Sequence, residues 1–409
     1  GYDDLAVGVP YEDVGAEGNA GAVNVMYGSA DRLITPGNQL WYQDSPGIDD
    51  VSEAGDLFGA TIECGNFNGD AYADLAIGVM GEEVDGQNNA GAFHIIYGSN
   101  AGLTATDTQF FDRNAPGVAG PAEANDYFGS ALAAGDFDGD GADDLAIGVP
   151  NEDIGALTDM GVVNVIYGTG NGLAAARNKM WHQNQPNVEG SGQIGDRFGS
   201  AVATGDFDGD DRMDLAVGVP FEDINGITDA GAVNVLYGTG SGITAARDQL
   251  WKQDSPGIAG TGQAADQFGK ALATGDVNGN GKDDIAVGVP RDLATKGAVN
   301  LILGTPSGLA AAGNKLWHQD TPGITGTGES GDRFGSAVTL GDYDGGGYLD
   351  LVAGVPFEGI SGTNEAGAIQ VIYGSAFALK AAGNQQWHQG SAGIAGTPAV
   401  GDAFGSTLR

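Results

Sequence analysis

Apolar runs of about five to eight residues, rich in Val, Ile and Tyr, recur along the chain between clusters of Gly, Asn, Asp and Pro. Such runs are typical of short β-strands joined by turns. No segment keeps the 3.6-residue period of an amphipathic helix, and Ala-rich pieces such as residues 173–176 are too short for more than one helical turn. The pattern therefore predicts an all-β protein with very little helix.

The strand pattern repeats at a nearly constant interval. The pair Phe-Gly returns every 70 residues, except for one interval of 66, and begins at residues 58, 128, 198, 268, 334 and 404. A period of this length indicates supersecondary units that bury their apolar faces only against one another. In one unit we predict strands A to D at residues 198–204, 215–219, 232–237 and around 250–253.

The size of the side chains changes from strand to strand within a unit. Strand B alternates large residues with Ala and Gly, so one face is bulky and the other is smooth. Strand A is small, whereas strand D carries an aromatic residue at positions 41, 111, 181, 251, 317 and 387. Small inner strands and large outer strands are the taper of a β-propeller with four-stranded antiparallel blades.

The two ends of the sequence decide the predicted number of blades. Residues 1–5 align with residues 141–145 of strand B, and the sequence stops in a segment that aligns with strand A. Six blades are favoured, with a closing blade built from both termini that leaves no open sheet edge. Residues 1–409 would then be one propeller domain. Seven blades, one of them outside this chain, is the alternative.

The turn between strands A and B is an acidic loop in five of the repeats. Oxygen ligands at loop positions 1, 3 and 5, a backbone carbonyl at 7 and a closing carboxylate at 9 suit calcium, which takes six to eight oxygens. We therefore predict about five Ca²⁺ sites. Their ligands are Asn66, Asn68, Asp70, Tyr72 and Asp74; Asp136, Asp138, Asp140, Ala142 and Asp144; Asp206, Asp208, Asp210, Arg212 and Asp214; Asp276, Asn278, Asn280, Lys282 and Asp284; and Asp342, Asp344, Tyr348 and Asp350.

The five loops differ in charge. Loops 2 and 3, which start at Asp136 and Asp206, have four carboxylates each and are predicted to bind tightest. Loop 5 has Gly346 where a ligand is expected. Position 4 is glycine in every loop, as a tight turn around an ion requires. The competing interpretation is five plain Asp/Asn/Gly turns, which favour the same residues.

These motifs carry a family resemblance that covers the whole chain. The Phe-Gly pair, the Asp-x-Asp-Gly-Asp loop and the Gly-Val-Pro end of strand B resemble FG-GAP repeats, the propeller repeats of integrin α-subunits and their bacterial relatives. The resemblance implies a propeller with calcium on one face and ligand binding on the other. It also implies seven blades, as in integrins, so six units depart from that pattern.

Composition limits the possible partners. The 409 residues include 55 acidic and 16 basic ones, giving a formal net charge of −39. Such a charge argues against nucleic acid and anionic membrane surfaces as partners. No apolar run reaches the 18 residues of a membrane span, so no membrane insertion is predicted. Calcium use and the family resemblance together predict a secreted or cell-surface protein, which we expect to be a monomer.

The predicted function is an extracellular calcium-binding module for interaction or adhesion, with a protein or glycan ligand on the face opposite the calcium loops. No enzymatic activity is predicted, because the four histidines form no catalytic constellation and three of them directly follow the tryptophan of strand D. One alternative is a lectin-like propeller, which would require exposed tryptophans. The other is an accessory propeller of a larger secreted enzyme.

The loops between strands B and C are acidic in most repeats, for example at Glu82, Glu152 and Glu222. We expect these carboxylates to be solvated and to accept backbone hydrogen bonds. One repeat departs from the pattern, because its loop after Pro290 is shorter and contains Arg291 and Lys296. Functional sites of repeat proteins tend to lie where loops vary, so these two cations are predicted to contact a ligand.

Overall fold

The computed structural model describes residues 2–30 and 32–408. Six antiparallel sheets, one per repeat, make the fold an all-β propeller with six blades, as predicted. The residues divide into two compact units, Gly1–Gln185 with Arg197–Val202 and Pro186–Asp196 with Ala203–Arg409. The assignment of residues 1–409 to a single domain stays a prediction.

The first unit contains one three-stranded sheet, in the order β1-β2-β3, and two four-stranded sheets, β4-β5-β6-β7 and β8-β9-β10-β11. Neighbouring strands are antiparallel throughout these sheets. The bounds are β1 Leu5–Val9, β2 Ala22–Tyr27, β3 Ile34–Trp41, β4 Phe58–Gly65, β5 Asp74–Val79, β6 Ala92–Tyr97, β7 Thr104–Asp112, β8 Ala131–Gly135, β9 Asp144–Val149, β10 Val162–Tyr167 and β11 Ala174–Trp181.

The later sheets are all four-stranded, in the orders β12-β13-β14-β15, β16-β17-β18-β19 and β20-β21-β22-β23. The bounds are β12 Ala201–Gly205, β13 Asp214–Val219, β14 Ala232–Tyr237, β15 Thr244–Trp251, β16 Ala271–Gly275, β17 Asp284–Val289, β18 Ala298–Thr305, β19 Gly308–Trp317, β20 Val338–Gly341, β21 Asp350–Val355, β22 Ala368–Tyr373 and β23 Lys380–Trp387. Strand C is found where the sequence predicts it. Strand D begins earlier than predicted and includes the Ala-rich pieces.

Helical structure is almost absent from the described residues. The only helical segment in the described part of the chain, α1 (Asp292–Thr295), contains two residues with left-handed backbone angles, Leu293 and Ala294. It is therefore a short irregular turn that replaces the longer B–C loops of the other repeats. The prediction of very low helix content is confirmed.

The prediction of a closing blade shared by both termini is not met. The first sheet has three strands, and residues 404–408 form no strand among the described residues. Strand β1 is an edge strand in this sheet, and its Leu5 and Val7 are 41% and 37% exposed. The equivalent Leu75 and Ile77 of β5, which is paired on both sides, are buried. Phe404 forms an isolated bridge with Gly367, as Phe268 does with Gly231.

Successive sheets pack a bulky face onto a smooth face, as the alternation in strand B predicts. In the second unit, Ala286 of β17 shares a buried cluster with Leu351 and Val355 of β21. In the first unit, Ala76 of β5 lies in the same cluster as Leu145 of β9. The small residues let neighbouring backbones approach closely, and the large ones fill the remaining space.

Candidate metal centre

The five predicted loops connect strand A to strand B and share the backbone conformation of their fourth residue. Their fourth residue is a glycine with a positive φ between 65° and 75°, a conformation that side chains disfavour. Strand B then begins at the aspartate in position 9. The loops are therefore tight turns at the same end of each sheet, and the glycine prediction is confirmed.

The carboxylate in position 1 organises the turn. Asp136 accepts three backbone hydrogen bonds, from the N–H groups of Gly139 (2.7 Å), Asp140 (3.1 Å) and Gly141 (2.9 Å). Asp206 and Asp276 accept the equivalent three bonds in their own loops. Loop 1 has Asn66 in this place, and its amide instead donates to the carbonyl oxygen of Asp70 at 2.9 Å.

The aspartate in position 9 is buried and joins the loop to strand C. Asp214 Oδ2 accepts the N–H of Phe207 at 3.0 Å, and its Oδ1 accepts the N–H of Gly238 at 2.9 Å. The same pair of bonds recurs in all five loops. Burial raises the pKa of Asp214 to about 8, and a cation bound nearby would favour its ionised form. This structural role was not evident from the sequence.

Position 3 holds the clearest candidate ligands. Asp138 and Asp208 are buried side chains, each 5% exposed, and Oδ1 of each is buried without a hydrogen-bond partner. A buried carboxylate oxygen without a partner is costly unless a cation or a donor reaches it. The other oxygen of Asp138 accepts from Arg177 Nη1 at 2.7 Å, and that of Asp208 accepts from Arg247.

The structure brings the predicted carboxylates together in three of the loops. Candidate ligand atoms lie within 4.8 Å of one another in the sets Asp136, Asp138 and Asp144; Asp206, Asp208 and Asp210; and Asp342, Asp344 and Asp350. These sets suit a hard cation that prefers oxygen, such as calcium. Loops 1 and 4 offer two carboxylates each, with amides in the other positions. The individual ligands, including the position 7 carbonyls, stay predictions.

Two arginines of strand D lie beside the loops that carry the most carboxylates. Arg177 lies over Tyr167, with Cζ 4.4 Å from the ring centroid, and Arg247 lies over Tyr237 at 4.5 Å. Each therefore holds a positive charge beside one of the two most acidic loops. Loop 5 has Gly383 at the equivalent position of strand D and so has no such cation. Counting carboxylates in the loop alone does not reveal this difference.

A second group of acids lies at the opposite ends of the same strands, and it corrects an expectation. Glu82 and Glu152 are 4% and 3% exposed, so they are buried rather than solvated. Glu82 lies near Asp56, which is also buried, and Gln43 Nε2 donates to Glu82 Oε2 at 2.7 Å. Equivalent Gln–acid contacts at 2.7 and 2.6 Å join Gln253 to Asp292 and Gln319 to Glu358.

Titration of this group gives a testable prediction. Burial, with the like charges of Asp50 and Asp56, raises the pKa of Glu82 well above its usual range. The folded state then keeps a proton that the unfolded chain loses above about pH 4.3, so stability falls as pH rises through the folded pKa. We expect Glu82→Gln to weaken this fall by up to about 1.4 kcal/mol per pH unit.

The measurement is the urea-unfolding midpoint of both proteins at pH 6, 7.5 and 9 in excess chelator. Glu83→Gln is the matched control, because Glu83 is the exposed neighbour in the same loop. It should keep the pH dependence of the parent chain. An identical pH dependence in Glu82→Gln and the parent would show that Glu82 holds no extra proton in the folded state.

One histidine and two of the tryptophans are buried in the sheets. His94 is fully buried and packs on Phe58 and Phe110, with ring centroids 5.5 and 4.8 Å apart. Burial lowers the pKa of His94 to about 3, so it is neutral near pH 7. Trp181 and Trp317 are 2% and 5% exposed and lie at the ends of the D strands β11 and β19. Their burial disfavours sugar binding at these two indoles, whereas Trp251 and Trp387 are partly exposed.

Arg291 and Lys296, the two cations predicted to bind a ligand, have different neighbours in the structure. Lys296 Nζ forms an ion pair with Asp320 Oδ2 at 2.8 Å. Arg291 instead lines a small cavity together with Lys270 and Arg333. The ligand-binding role predicted for Arg291 and Lys296 stays a prediction.

Comparison with known proteins agrees with this geometry. The FG-GAP repeat model matches residues 128–172, 198–236, 268–300 and 334–372. Integrin alpha-PS2 of Drosophila melanogaster is 34% identical over 243 residues, which cover 57% of this chain and 16% of that protein. Integrin alpha-8 of Mus musculus is 32% identical over 213 residues, covering 52% and 18%. Phosphatidylinositol-glycan-specific phospholipase D of Rattus norvegicus is 35% identical over 166 residues, covering 40% and 18%.

The chain carries FG-GAP repeats on a β-propeller fold, which confirms the resemblance seen in the sequence. Its relatives include integrin α-subunits. The chain spans less than a fifth of the length of the three relatives named here. No helix among the described residues is long and apolar enough to cross a membrane.

Proposed function

We propose that this propeller is an extracellular module for interaction or adhesion, and that its A–B loops bind Ca²⁺ to stabilise the blades. The observation that carries the calcium part is the buried, unpartnered Oδ1 of Asp138 and of Asp208, each within an acidic loop. Similarity to integrin α-subunits supports the interaction role and the extracellular setting. A protein or glycan ligand would bind at the ends of the strands opposite the loops.

Calcium would act on stability rather than on chemistry. The position 1 carboxylate already gathers the N–H groups of its own loop, and the position 9 carboxylate joins the loop to strand C. An ion would offset the mutual repulsion of the remaining carboxylates. With about 1 mM calcium and site constants of about 0.1–1 mM, linkage gives about 0.4–1.4 kcal/mol per site.

The first test is metal counting and thermal unfolding on the whole chain. We expect about one bound ion per intact loop, and a lower unfolding midpoint after excess chelator is added. Asp208→Asn should lose one ion or weaken one site about tenfold, because it removes a buried ligand charge. The absence of bound calcium, together with an unchanged midpoint, would reduce the loops to ordinary turns.

Asp211→Asn is the matched control for that variant. Asp211 lies in the same loop and is exposed, and its backbone N–H donates to Asp206 Oδ2 at 2.9 Å. Asparagine tolerates the left-handed backbone angle that Asp211 adopts. The control removes one negative charge without removing a proposed ligand, so its calcium count should equal that of the parent chain.

A second candidate function is an accessory propeller within a larger secreted enzyme. The observation that favours it is the similarity to phosphatidylinositol-glycan-specific phospholipase D, of which the matched chain covers only 18%. The proposed module itself would have no catalytic activity. Activity against an esterase or phosphodiesterase substrate in the purified chain, abolished by a point substitution, would contradict this assignment.

A further inference from the structure

A cavity with polar walls lies beside loop 1, the loop that starts at Asn66. It measures about 500 Å³, within the range of about 300–1,000 Å³ that is usual for small-ligand sites. The side chains that line it are those of Asn68, Tyr97, Thr104, Thr106, Asp107 and Asn171. Asp107 carries the only charge among these described side chains, so the lining suits a cation.

The next two repeats place a guanidinium group of their own between the tyrosine of strand C and position 3 of the loop. Arg177 Cζ lies 4.4 Å from the ring centroid of Tyr167, and Arg177 Nη1 donates to Asp138 Oδ2 at 2.7 Å. Arg247 lies over Tyr237 in the same way, at 4.5 Å. The chain itself therefore shows twice that this place suits a guanidinium group stacked on a ring and bonded to an acid.

The repeat that contains loop 1 has the same place with its charges exchanged. Tyr97 corresponds to the stacked tyrosines, Asn68 stands at position 3 of the loop, and Asp107 stands at the strand D position of the two arginines. No hydrogen bond or ion pair joins the Asp107 carboxylate to another described residue. The place therefore keeps an aromatic ring and a carboxylate, and its cation has to come from outside the repeat.

Hydrogen bonds hold two walls of the cavity in place. Asn68 Nδ2 donates to Asp70 Oδ2 at 3.1 Å, which puts a second carboxylate directly behind the lining. The opposite wall is a turn of the neighbouring sheet, where the N–H of Asn171 donates to Thr169 Oγ1 at 3.2 Å. The cavity is therefore a gap between ordered turns with acids on one side.

We infer that this cavity, which we name the loop 1 pocket, binds one guanidinium group, either of an arginine side chain in a partner or of a free guanidine compound. The guanidinium would contact the Tyr97 ring and donate to the Asp107 carboxylate, with Asn68 Oδ1 as a further acceptor. A guanidinium group is planar and more weakly hydrated than an ammonium group, which favours arginine over lysine beside a ring. The net charge of −39 attracts such a cation from a distance.

The inference goes beyond the proposed function, which puts a protein or glycan ligand at the opposite ends of the strands. The loop 1 pocket lies at the loop end, between the start of strand β7 and the C–D turn of the next sheet. It does not require calcium, because Asp107 belongs to strand D and not to the loop. Metal counting and guanidinium binding can therefore fail independently.

The test is calorimetric titration of the whole chain, at low ionic strength and in excess chelator, with three probes. These are butylguanidine and the end-blocked tripeptides Gly-Arg-Gly and Gly-Lys-Gly. We expect saturable binding of the arginine peptide at one site per chain, and binding at least about tenfold weaker for the lysine peptide. Saturable binding of butylguanidine as well would show that a free guanidine compound is sufficient, whereas binding of the arginine peptide alone would identify a peptide as the source.

Two substitutions of Asp107 test the role of its carboxylate. Asp107 has a left-handed backbone (φ 58°), which asparagine tolerates, and glycine occupies the equivalent position in three other repeats, at Gly37, Gly313 and Gly383. The fold should therefore accept both Asp107→Asn and Asp107→Gly, with unchanged unfolding midpoints. Each should weaken binding of the arginine peptide at least about tenfold, because each removes a charge-assisted hydrogen bond.

Glu83→Gln is the control for the loss of one negative charge. Glu83 is exposed and follows strand β5, at the end opposite loop 1, so it does not line the loop 1 pocket. Its affinity for the arginine peptide should match that of the parent chain. No saturable binding of any probe, equal binding in the parent and the Asp107 variants, or equal affinity for the arginine and lysine peptides would overturn the inference.

Discussion

Gly288→Ala is expected to lower the free energy of unfolding by about 3 kcal/mol or more, because overpacking against a rigid backbone has no cheap relief. A Cβ atom on Gly288 would lie 2.2 Å from the carbonyl oxygen of Gly335 and 3.1 Å from Cβ of Ala271. The first of these neighbours is backbone of the segment that leads into β20, the first strand of the next sheet. The two sheets would have to move apart, which would loosen the buried cluster between them.

Urea unfolding of the parent chain and the variant measures this effect. Gly240→Ala is the matched control, since an added Cβ there meets nothing within 4 Å and the backbone is not left-handed. It should change stability by less than about 0.5 kcal/mol. If the two variants were equally stable, the smooth face of strand B would not be what limits the approach of the sheets.

The repeat made most of the fold predictable. Leu215, Val217 and Val219 alternate with Ala216 and Gly218, and this alternation alone indicates a sheet with one bulky face and one smooth face. The closing blade, which was predicted to contain strands from both termini, was harder to predict. Alignment of the terminal residues shows what could pair, but strand formation also needs a partner in register, and residues 404–408 form no strand.

The sequence predicted those parts of the candidate metal site that lie within a single loop. The loop Asp206–Asp214 contains its own turn glycine and its own carboxylates, so spacing was sufficient. Contacts between distant residues were not predictable from the spacing within one loop. Asp208 contacts Arg247, which lies 39 residues later, and the cavity lined by Lys270 and Arg333 joins turns more than 60 residues apart. A comparison of equivalent positions among the repeats would have found both, because each involves a residue that breaks the pattern.

Arg113→Met is expected to lower the free energy of unfolding by about 3–5 kcal/mol at pH 7.5, the usual cost of removing one partner from a buried ion pair. The Arg113 side chain is fully buried, and its Nη1 lies 3.4 Å from Asp126 Oδ2 and also contacts Glu152 Oε2. Desolvation lowers the pKa of Arg113 to about 10, so the guanidinium stays charged at pH 7.5. Methionine would leave both carboxylates buried without a cation.

Arg113→Gln separates the charge of this residue from its hydrogen bonds. Glutamine occupies the equivalent place in other repeats, for example Gln43 and Gln319, where it donates to a buried acid. We expect this variant to cost less than Arg113→Met, and to recover most of its stability at pH 5.5 because the acids can then share a proton. Calorimetric unfolding of both variants at pH 5.5 and 7.5 tests this. Equal, pH-independent losses would show that Arg113 stabilises the blade through packing of its side chain rather than through its charge.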